Sequence, residues 1–297
     1  MKKIVIENLC KRVNHFNLSG VSFSVHSGEI FALVGMTGSG KSTITKILDK
    51  LIYTDSGTAT FDHQDTGVLV QDQEFYKNKT VFKTMLMFSE TYPKQIRHSE
   101  IRNTLRAVGL YKRRNTRVKD LTINRYARLK IALSIMTRPS ILILDDPFVY
   151  LNDYESREVR VILRTLSERF DTAILITATD FTGIEEIFDT TAIIDGGQIV
   201  CIESYNTLSR MNDKDSKISI STPTANLAAV QITEKFGYDV NLFEENEIII
   251  SAHPDKAQEI HDYLTSQEIE VTSITRVNKS IEHLFHQLRT RSYGGTL

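Results

Sequence analysis

A glycine-rich loop that follows an apolar run constrains the fold of this chain more than any other feature. Residues 35–43 have the sequence Gly-Met-Thr-Gly-Ser-Gly-Lys-Ser-Thr, match the pattern G-x-x-x-x-G-K-[ST], and follow the apolar residues 30–34. This order predicts a strand, a phosphate-binding loop and a helix. We expect the loop to bind a nucleoside triphosphate through Gly35, Met36, Thr37, Gly38, Ser39, Gly40, Lys41, Ser42 and Thr43.

Two residues of the loop have separate predicted roles. Lys41 places a positive charge at the outer phosphates, and the hydroxyl of Ser42 can bind Mg²⁺. A glycine-rich turn with a surface lysine is the alternative, and the flanking apolar segments argue against it. The predicted helix has an apolar face made of Ile44, Ile47, Leu48 and Leu51.

An acidic motif follows about a hundred residues later. Residues 141–144 form a short apolar run typical of a buried parallel strand, and the run ends in Asp145-Asp146-Pro147. A carboxylate at the carboxyl end of a central strand lies beside the phosphate-binding loop, where Asp145 can hold Mg²⁺ through water. The two motifs together predict an α/β protein with a nucleotide and metal site.

Residues 1 to about 210 resemble the ATP-binding subunit of an ABC transporter. The resemblance implies a P-loop NTPase core of the ABC type, with an antiparallel edge sheet near the N-terminus and an inserted helical subdomain at about 72–140. Besides the two motifs above, it depends on Gly28-Glu29-Ile30, Val70-Gln71-Asp72, Leu121-Thr122-Ile123-Asn124-Arg125 and Asp195-Gly196-Gly197-Gln198-Ile199-Val200.

The resemblance also implies roles for single residues. ATP with Mg²⁺ would be the cofactor pair, and Ser42, Gln71 and Asp145 would hold the metal. Asp146, Gln71 and Thr179 would take part in catalysis. We expect Gln71 at the junction of the helical subdomain and the α/β core, where it would couple ATP binding to subdomain rotation.

Several positions depart from the family pattern. Asp146 replaces a glutamate that acts on the attacking water, and it is one methylene shorter. Thr179 stands in place of a histidine that contacts the γ-phosphate. Ile123 and Asn124 replace the two glycines of the signature motif, which caps the nucleotide of the opposite subunit. Because such changes typically cost about 10²-fold or more in rate, we predict slow hydrolysis.

Two further positions have weaker counterparts in the family. Asn152 aligns with the aspartate of the D-loop. The aromatic residue that stacks on adenine would align near Val13, so His15 or Phe16 would have to replace it.

The composition fits a globular protein with partners other than nucleic acid. Charged residues make up 25% of the chain and the formal net charge is −1, which argues against a general nucleic-acid binder. Cys10 and Cys201 lack metal-like spacing, and without a secretory leader they suggest a reducing, cytoplasmic location. No apolar stretch reaches the ~18–20 residues of a membrane span, so a pore would belong to another chain.

The C-terminal part predicts a second, smaller domain. We place the ATP-binding domain at 1–210, a polar linker at 211–217 and the second domain at 218–297. Its pattern is strand, helix, strand, strand, helix, strand, which suggests a ferredoxin-like dimerisation or regulatory domain. Residues 280–285 resemble the final helix of many ABC exporter ATPases, including those for bacteriocins, lantibiotics and drugs.

A basic segment stands out within the predicted helical subdomain. Against one acid, Glu100, residues 97–119 contain Arg97, Arg102, Arg106, Lys112, Arg113, Arg114, Arg117 and Lys119. The segment is either a solvated face or a contact for an acidic cytoplasmic loop or anionic lipid headgroups.

Three functions remain open at the level of sequence. The first is the ATP-binding subunit of an exporter of peptides or drugs, which lies peripherally on the cytoplasmic face of the membrane. It would bind transmembrane permease subunits and form a homodimer, or a heterodimer with a second ABC ATPase. The second is a regulatory pseudo-ATPase whose ATP-dependent dimerisation controls a partner. The third, a soluble ABC protein of translation or DNA repair, is disfavoured because the chain has one P-loop and no heptads.

Overall fold

The computed structural model describes residues 1–13, 16–62, 65–69, 75–92, 95–181, 183–208, 217–244 and 246–277. The chain divides into two compact units, residues 1–205 and 206–297. Of the predicted linker at 211–217, all residues but Lys217 lie outside the described residues, and the predicted boundary at 210 stays a prediction.

The first unit alternates strands and helices, as the sequence predicts. Its elements are β1 (Lys2–Val13), β2 (Phe16–His26), β3 (Ile30–Val34), α1 (Lys41–Leu48), β4 (Ser56–Phe61), β5 (Thr66–Leu69), α2 (Val81–Ser89), α3 (His98–Ala107), α4 (Ile123–Ile135), β6 (Ile141–Asp145), α5 (Asp153–Phe170), β7 (Ala173–Ala178), β8 (Thr190–Asp195) and β9 (Gln198–Ser204).

A six-stranded sheet forms the centre of this unit. The strand order is β5-β6-β7-β3-β8-β9, and all neighbours are parallel except β8 and β9. Strands β3, β6 and β7 are buried at every position, which explains their largely apolar sequences. Strand β7 lies between β6 and β3, and the three strands are parallel, so their carboxyl ends lie at the same edge of the sheet. The loop after β3 and the acids at the end of β6 therefore meet at that edge.

The predicted edge sheet is also present. Strands β2, β1 and β4 form an antiparallel sheet in that order, and its apolar side chains join the core of the first sheet. The rings of Phe23 and Phe31 stack there with centroids 5.0 Å apart. The predicted fold of the N-terminal part, an ABC-type α/β core with an antiparallel edge sheet, is confirmed.

Helix α1 is shorter than its apolar pattern predicts. Ile44, Ile47 and Leu48 are buried as expected, but the helix ends at Leu48, and Leu51 is exposed. The prediction for Leu51 is therefore wrong. The cause is a left-handed residue, Lys50 (φ 58°), which lets the Leu51 N–H donate to the Lys46 carbonyl (2.9 Å) and closes the helix in a Schellman arrangement.

Helices α2, α3 and α4 lie in the predicted helical subdomain. They share a small core in which Met85, Ile101 and Leu105 are fully buried. The ring of Phe75 contacts the rings of Phe88 and Tyr126, with centroid distances of 5.5 and 5.3 Å. These contacts join the start of the subdomain to α2 and α4.

The second unit has the predicted order of elements. They are β10 (Lys217–Ser221), α6 (Ala225–Phe236), β11 (Val240–Glu244), β12 (Glu247–Ile250), α7 (Ala257–Ser266) and β13 (Ser273–Val277). The strands form an antiparallel sheet in the order β11-β12-β10-β13, over a core rich in isoleucine. The ferredoxin-like assignment stays a prediction, and residues 280–285 lie outside the described residues.

Candidate nucleotide-binding site

Two glycines of the predicted phosphate-binding loop, Gly35 and Gly40, occupy positions where a side chain would not fit. A Cβ atom on Gly35 would lie 2.2 Å from the Ile194 carbonyl oxygen, so the backbone can reach β8 only without one. Gly40 adopts φ 110°, a left-handed conformation that disfavours other residues. Together they bend the chain sharply between β3 and α1, as a phosphate-binding loop requires.

Lys41 is turned inwards onto this loop. It is 5% exposed, and its Nζ donates hydrogen bonds to the carbonyl oxygens of Gly35 and Met36, the latter at 3.1 Å. Burial lowers the pKa of the Lys41 ammonium, whereas the carboxylates of Asp146 and Asp145 act in the opposite direction. The lysine and the two acids thus form one electrostatic group at the sheet edge.

Asp145 is held by a hydroxyl from the neighbouring strand. It is 2% exposed, and the Thr177 hydroxyl donates to its Oδ1 atom at 2.6 Å. The pairing of β6 with β7 places Asp145 opposite Thr177 and so produces this contact. A buried, oriented carboxylate together with the Ser42 hydroxyl offers oxygen ligands of the kind that Mg²⁺ prefers.

Asp146 has a strained but well-supported backbone. Its φ is 47°, and its N–H is 3.2 Å from the Thr177 carbonyl oxygen and 3.1 Å from the Thr177 hydroxyl oxygen. Burial raises the pKa of the Asp146 carboxyl, and Lys41 partly offsets this effect. A raised pKa makes the carboxylate a stronger proton acceptor.

A cavity of about 690 Å³ opens above this group. It is lined by Val13, Phe16, Thr37, Gly38, Gly40, Lys41, Ser42, Thr43, Asp146, Val149 and Thr179. Most predicted site residues therefore meet in one cavity, while Gly35, Met36, Ser39 and Asp145 are not among the lining residues. Phe16 stands at the wall as a candidate adenine contact, whereas Gln71 and His15 lie outside the described residues.

A second cavity of about 460 Å³ adjoins the first. Both are lined by Asp146, Val149 and Thr179, and the second continues to Arg157 and Arg160. Arg160 is fixed there by Glu186 (3.0 Å) and by the Gly183 carbonyl oxygen (3.1 Å). The predicted catalytic positions 146 and 179 thus stand between two solvent-accessible spaces.

The segment that resembles the signature motif is tied to the start of α5. The Asn124 amide donates to Glu155 Oε1 at 2.6 Å. The other oxygen of Glu155 accepts the Asn152 N–H at 3.2 Å, and the Asn152 side chain caps α5. One carboxylate therefore links the signature position to the D-loop position.

A buried arginine supports the same junction. Arg128 of α4 donates to Glu158 (2.7 Å) and to the Val108 carbonyl oxygen (3.1 Å), and its Nε lies 3.5 Å from Glu155. Sequence reasoning missed Arg128 and Glu155, because contacts between side chains some 30 residues apart have no local signal.

Several large apolar side chains are exposed on segments that carry the predicted motifs, and Val149 among them lines the first cavity. They belong to the phosphate-binding loop, the start of α4, the segment that leads into α5 and the first turn of α5, namely Met36, Ile123, Val149, Tyr150 and Tyr154. Val149, Tyr150 and Tyr154 lie close together in the chain, and clustered exposed apolar groups are typical of a contact surface for another protein.

Comparisons with known proteins find similar ATP-binding proteins. The ABC transporter family model matches residues 18–149. An uncharacterized ABC transporter ATP-binding protein, YdbJ of Bacillus subtilis, is 27% identical over 96% of this chain and 94% of its own length. The bacitracin transport ATP-binding protein BcrA of Enterococcus faecalis is 24% identical over 96% of both chains.

A solved structure supports the fold. It is the dimeric post-hydrolysis state of an ATP-binding cassette with bound ADP and Pi, with a TM-score of 0.62 and 18% identity over 68% of this chain and 98% of that one. Fold and site together define a P-loop ATPase of the ABC cassette type. Residues 18–149 match the ABC transporter family model, and nearly the whole chain is similar to ABC transporter ATP-binding proteins. Within the described residues, no helix is both long enough and apolar enough to cross a membrane.

Proposed function

We propose that this subunit binds MgATP to close a dimer that drives export of a peptide or drug-like molecule through separate permease chains, and that it hydrolyses ATP slowly. The observation that carries the proposal is the cavity in which Lys41 and Ser42 face Asp146 and Thr179. The proposal of export follows from relatives such as the bacitracin transport protein.

ATP binding requires one rearrangement. The Nζ atom of Lys41 must leave the carbonyl oxygens of Gly35 and Met36 and turn to the β- and γ-phosphates. Ser42 and Asp145 would hold Mg²⁺, and Gln71 would complete the set. The oxygen ligands present fit this metal, which would neutralise charge on the phosphates.

Slow hydrolysis follows from two side chains at the γ-phosphate position. The Asp146 carboxylate has a raised pKa, which favours its action as a base, but it is one methylene shorter than the family's glutamate. Thr179 supplies a hydroxyl where the family has the imidazole ring of a histidine, which can carry a positive charge. Loss of one group that stabilises the transition state typically costs about 10²–10³-fold.

The dimer would form with the exposed apolar side chains of the phosphate-binding loop and the starts of α4 and α5. Ile123 at the start of α4 would then meet the nucleotide of the opposite subunit, either a second copy or another ABC ATPase. Asn124 adds a side chain where the family has only backbone, and its bond to Glu155 keeps it within its own subunit. Both features weaken the contact of the signature segment with ATP.

We place the protein on the cytoplasmic face of the membrane, bound to permease subunits by the helical subdomain. Gln71 would connect that subdomain to the metal site. Gln71→Ala should then keep ATP binding almost intact and uncouple it from transport.

Isothermal titration calorimetry with MgATP tests the site. Lys41→Ala should abolish detectable binding, whereas Lys50→Ala, at the exposed end of α1, should bind as the wild type does. Wild-type affinity in the Lys41 variant would refute the assignment of this loop.

ATPase assays test the proposed cause of slow turnover. Asp146→Glu should raise the rate if the reach of the carboxylate is limiting, and an unchanged rate would point to Thr179 or the signature segment. Turnover of several ATP per second by the purified wild-type chain would contradict slow hydrolysis.

A regulatory subunit whose ATP-dependent dimerisation controls a partner is the second candidate. The residues at positions 146 and 179 favour it, because slow hydrolysis would leave an ATP-bound dimer in place for longer. Reconstitution with the permease distinguishes the two functions. ATP-dependent dimerisation without transport would support the regulatory function and contradict export.

A further inference from the structure

We infer that the helical subdomain carries a binding surface for anionic lipid headgroups. The surface, here called the basic ribbon, comprises the cations of residues 75–83 and 111–119. They are Lys77, Lys79, Lys83, Lys112, Arg113, Arg114, Arg117 and Lys119. These two segments contain no acidic residue, although the whole chain has a formal net charge of −1. The positive charge is therefore local and does not reflect a basic protein.

Backbone hydrogen bonds hold the two segments side by side. The N–H of Lys119 donates to the Lys77 carbonyl oxygen at 3.0 Å, and the N–H of Val118 donates to the Lys79 carbonyl oxygen at 2.9 Å. Thr80 and Arg117, the next residues along the two segments, form an antiparallel bridge. Cations that are 40 residues apart in the sequence are thus brought next to each other.

The cations of the basic ribbon are exposed and have no acidic partner among the described residues. All are exposed except Arg114, which is half-buried. Arg114 lies over the Tyr111 ring (4.6 Å), as does Arg106 from α3 (4.3 Å), so two guanidinium groups share one aromatic ring. The like charges on these two neighbouring segments repel each other, and a bound anionic ligand would reduce this repulsion.

The arrangement fits a surface with many phosphates better than a single small anion. Neither of the two cavities near Asp146 is lined by these residues. The side chains are long and spread along a ribbon, and Tyr76, which is 63% exposed, lies next to Lys77 in the chain. Basic side chains with a neighbouring exposed tyrosine are typical of segments that bind the membrane interface.

The role is separate from nucleotide binding. Each cation at an anionic bilayer strengthens binding by about fivefold. The basic ribbon would hold the subunit near the membrane without permease or ATP, and salt would weaken the attachment.

Vesicle co-sedimentation of the full chain tests the inference. The probes are phosphatidylcholine vesicles with or without about one third phosphatidylglycerol, at low and high salt. The wild type should bind only the anionic vesicles, and high salt should release it. A triple variant with Lys79→Ala, Arg117→Ala and Lys119→Ala should lose about 100-fold in affinity.

Two controls keep the result interpretable. A matched triple variant, Lys2→Ala with Lys50→Ala and Arg169→Ala, removes the same charge from exposed positions elsewhere and should bind vesicles as the wild type does. The MgATP affinity of each variant reports whether it is folded. The backbone hydrogen bonds that join the two segments do not involve the substituted side chains.

Three results would overturn the inference. They are equal binding to neutral and anionic vesicles, unchanged binding by the ribbon variant, and an equal loss in the matched control. Binding of poly-glutamate without binding of anionic vesicles would assign the ribbon to an acidic protein segment instead.

Discussion

Removal of the Thr177 hydroxyl tests whether this group positions the carboxylate of Asp145. Thr177 is fully buried, and its hydroxyl donates to Asp145 at 2.6 Å while its oxygen lies 3.1 Å from the Asp146 N–H. Thr177→Val keeps the shape of the side chain and removes the hydroxyl. The Asp146 N–H keeps the Thr177 carbonyl oxygen at 3.2 Å, so the main loss is the bond to the Asp145 carboxylate.

A hydrogen bond to a charged group contributes about 1.5–3 kcal/mol, so we expect a loss of about 2 kcal/mol in the free energy of unfolding. This corresponds to a fall of roughly 4–8 °C in Tm, measured by thermal unfolding without nucleotide or Mg²⁺. MgATP affinity should also fall about tenfold, while binding of ATP in EDTA should not change, because the hydroxyl orients the carboxylate that we propose as a metal ligand.

Thr177→Ser is the matched control, since it keeps the hydroxyl and loses one methyl group, at about 1 kcal/mol. It should retain wild-type MgATP affinity. If the valine variant matches the serine variant in stability and also binds MgATP normally, Thr177 does not position Asp145 and this reasoning is wrong.

Two further predictions concern titratable groups away from the nucleotide. Burial raises the pKa of Asp49 at the end of α1, so the folded state binds its proton more tightly and stability falls as pH rises above the ordinary value near 4. Asp49→Asn should stabilise the protein in urea unfolding at pH 7 but hardly at pH 4, and an equal gain at both pH values would contradict this cause. Hydrogen bonds with Ser56 and the Gly20 backbone lower the pKa of Cys10, whereas burial raises the pKa of Cys201 to about 11. Iodoacetamide at pH 8 should therefore modify Cys10 first, and mass spectrometry showing faster modification of Cys201 would be the opposite result.

Much of the site was predictable because its signals are short. The phosphate-binding loop and the acids after β6 are contiguous motifs, and burial of the central strands explains their apolar sequences. Leu51 was placed wrongly because periodicity does not reveal that Lys50 turns left-handed. The bonds from Thr177 to Asp145 and from Asn124 to Glu155 join distant parts of the chain, and only the strand pairing and helix packing bring them together.

The left-handed backbone of Asp146 has a consequence for the kind of acid that this position accepts. With φ at 47°, this residue stands where aspartate and asparagine are tolerated, since their short polar side chains bond locally, while longer residues are disfavoured. The shorter acid is thus the one that this turn accepts most readily. The substitution Asp146→Glu should lower the free energy of unfolding by about 1 kcal/mol, whether or not it raises the rate of ATP hydrolysis. If Asp146 acts in hydrolysis as proposed, the rate of hydrolysis and the stability of the fold would favour different acids at this position.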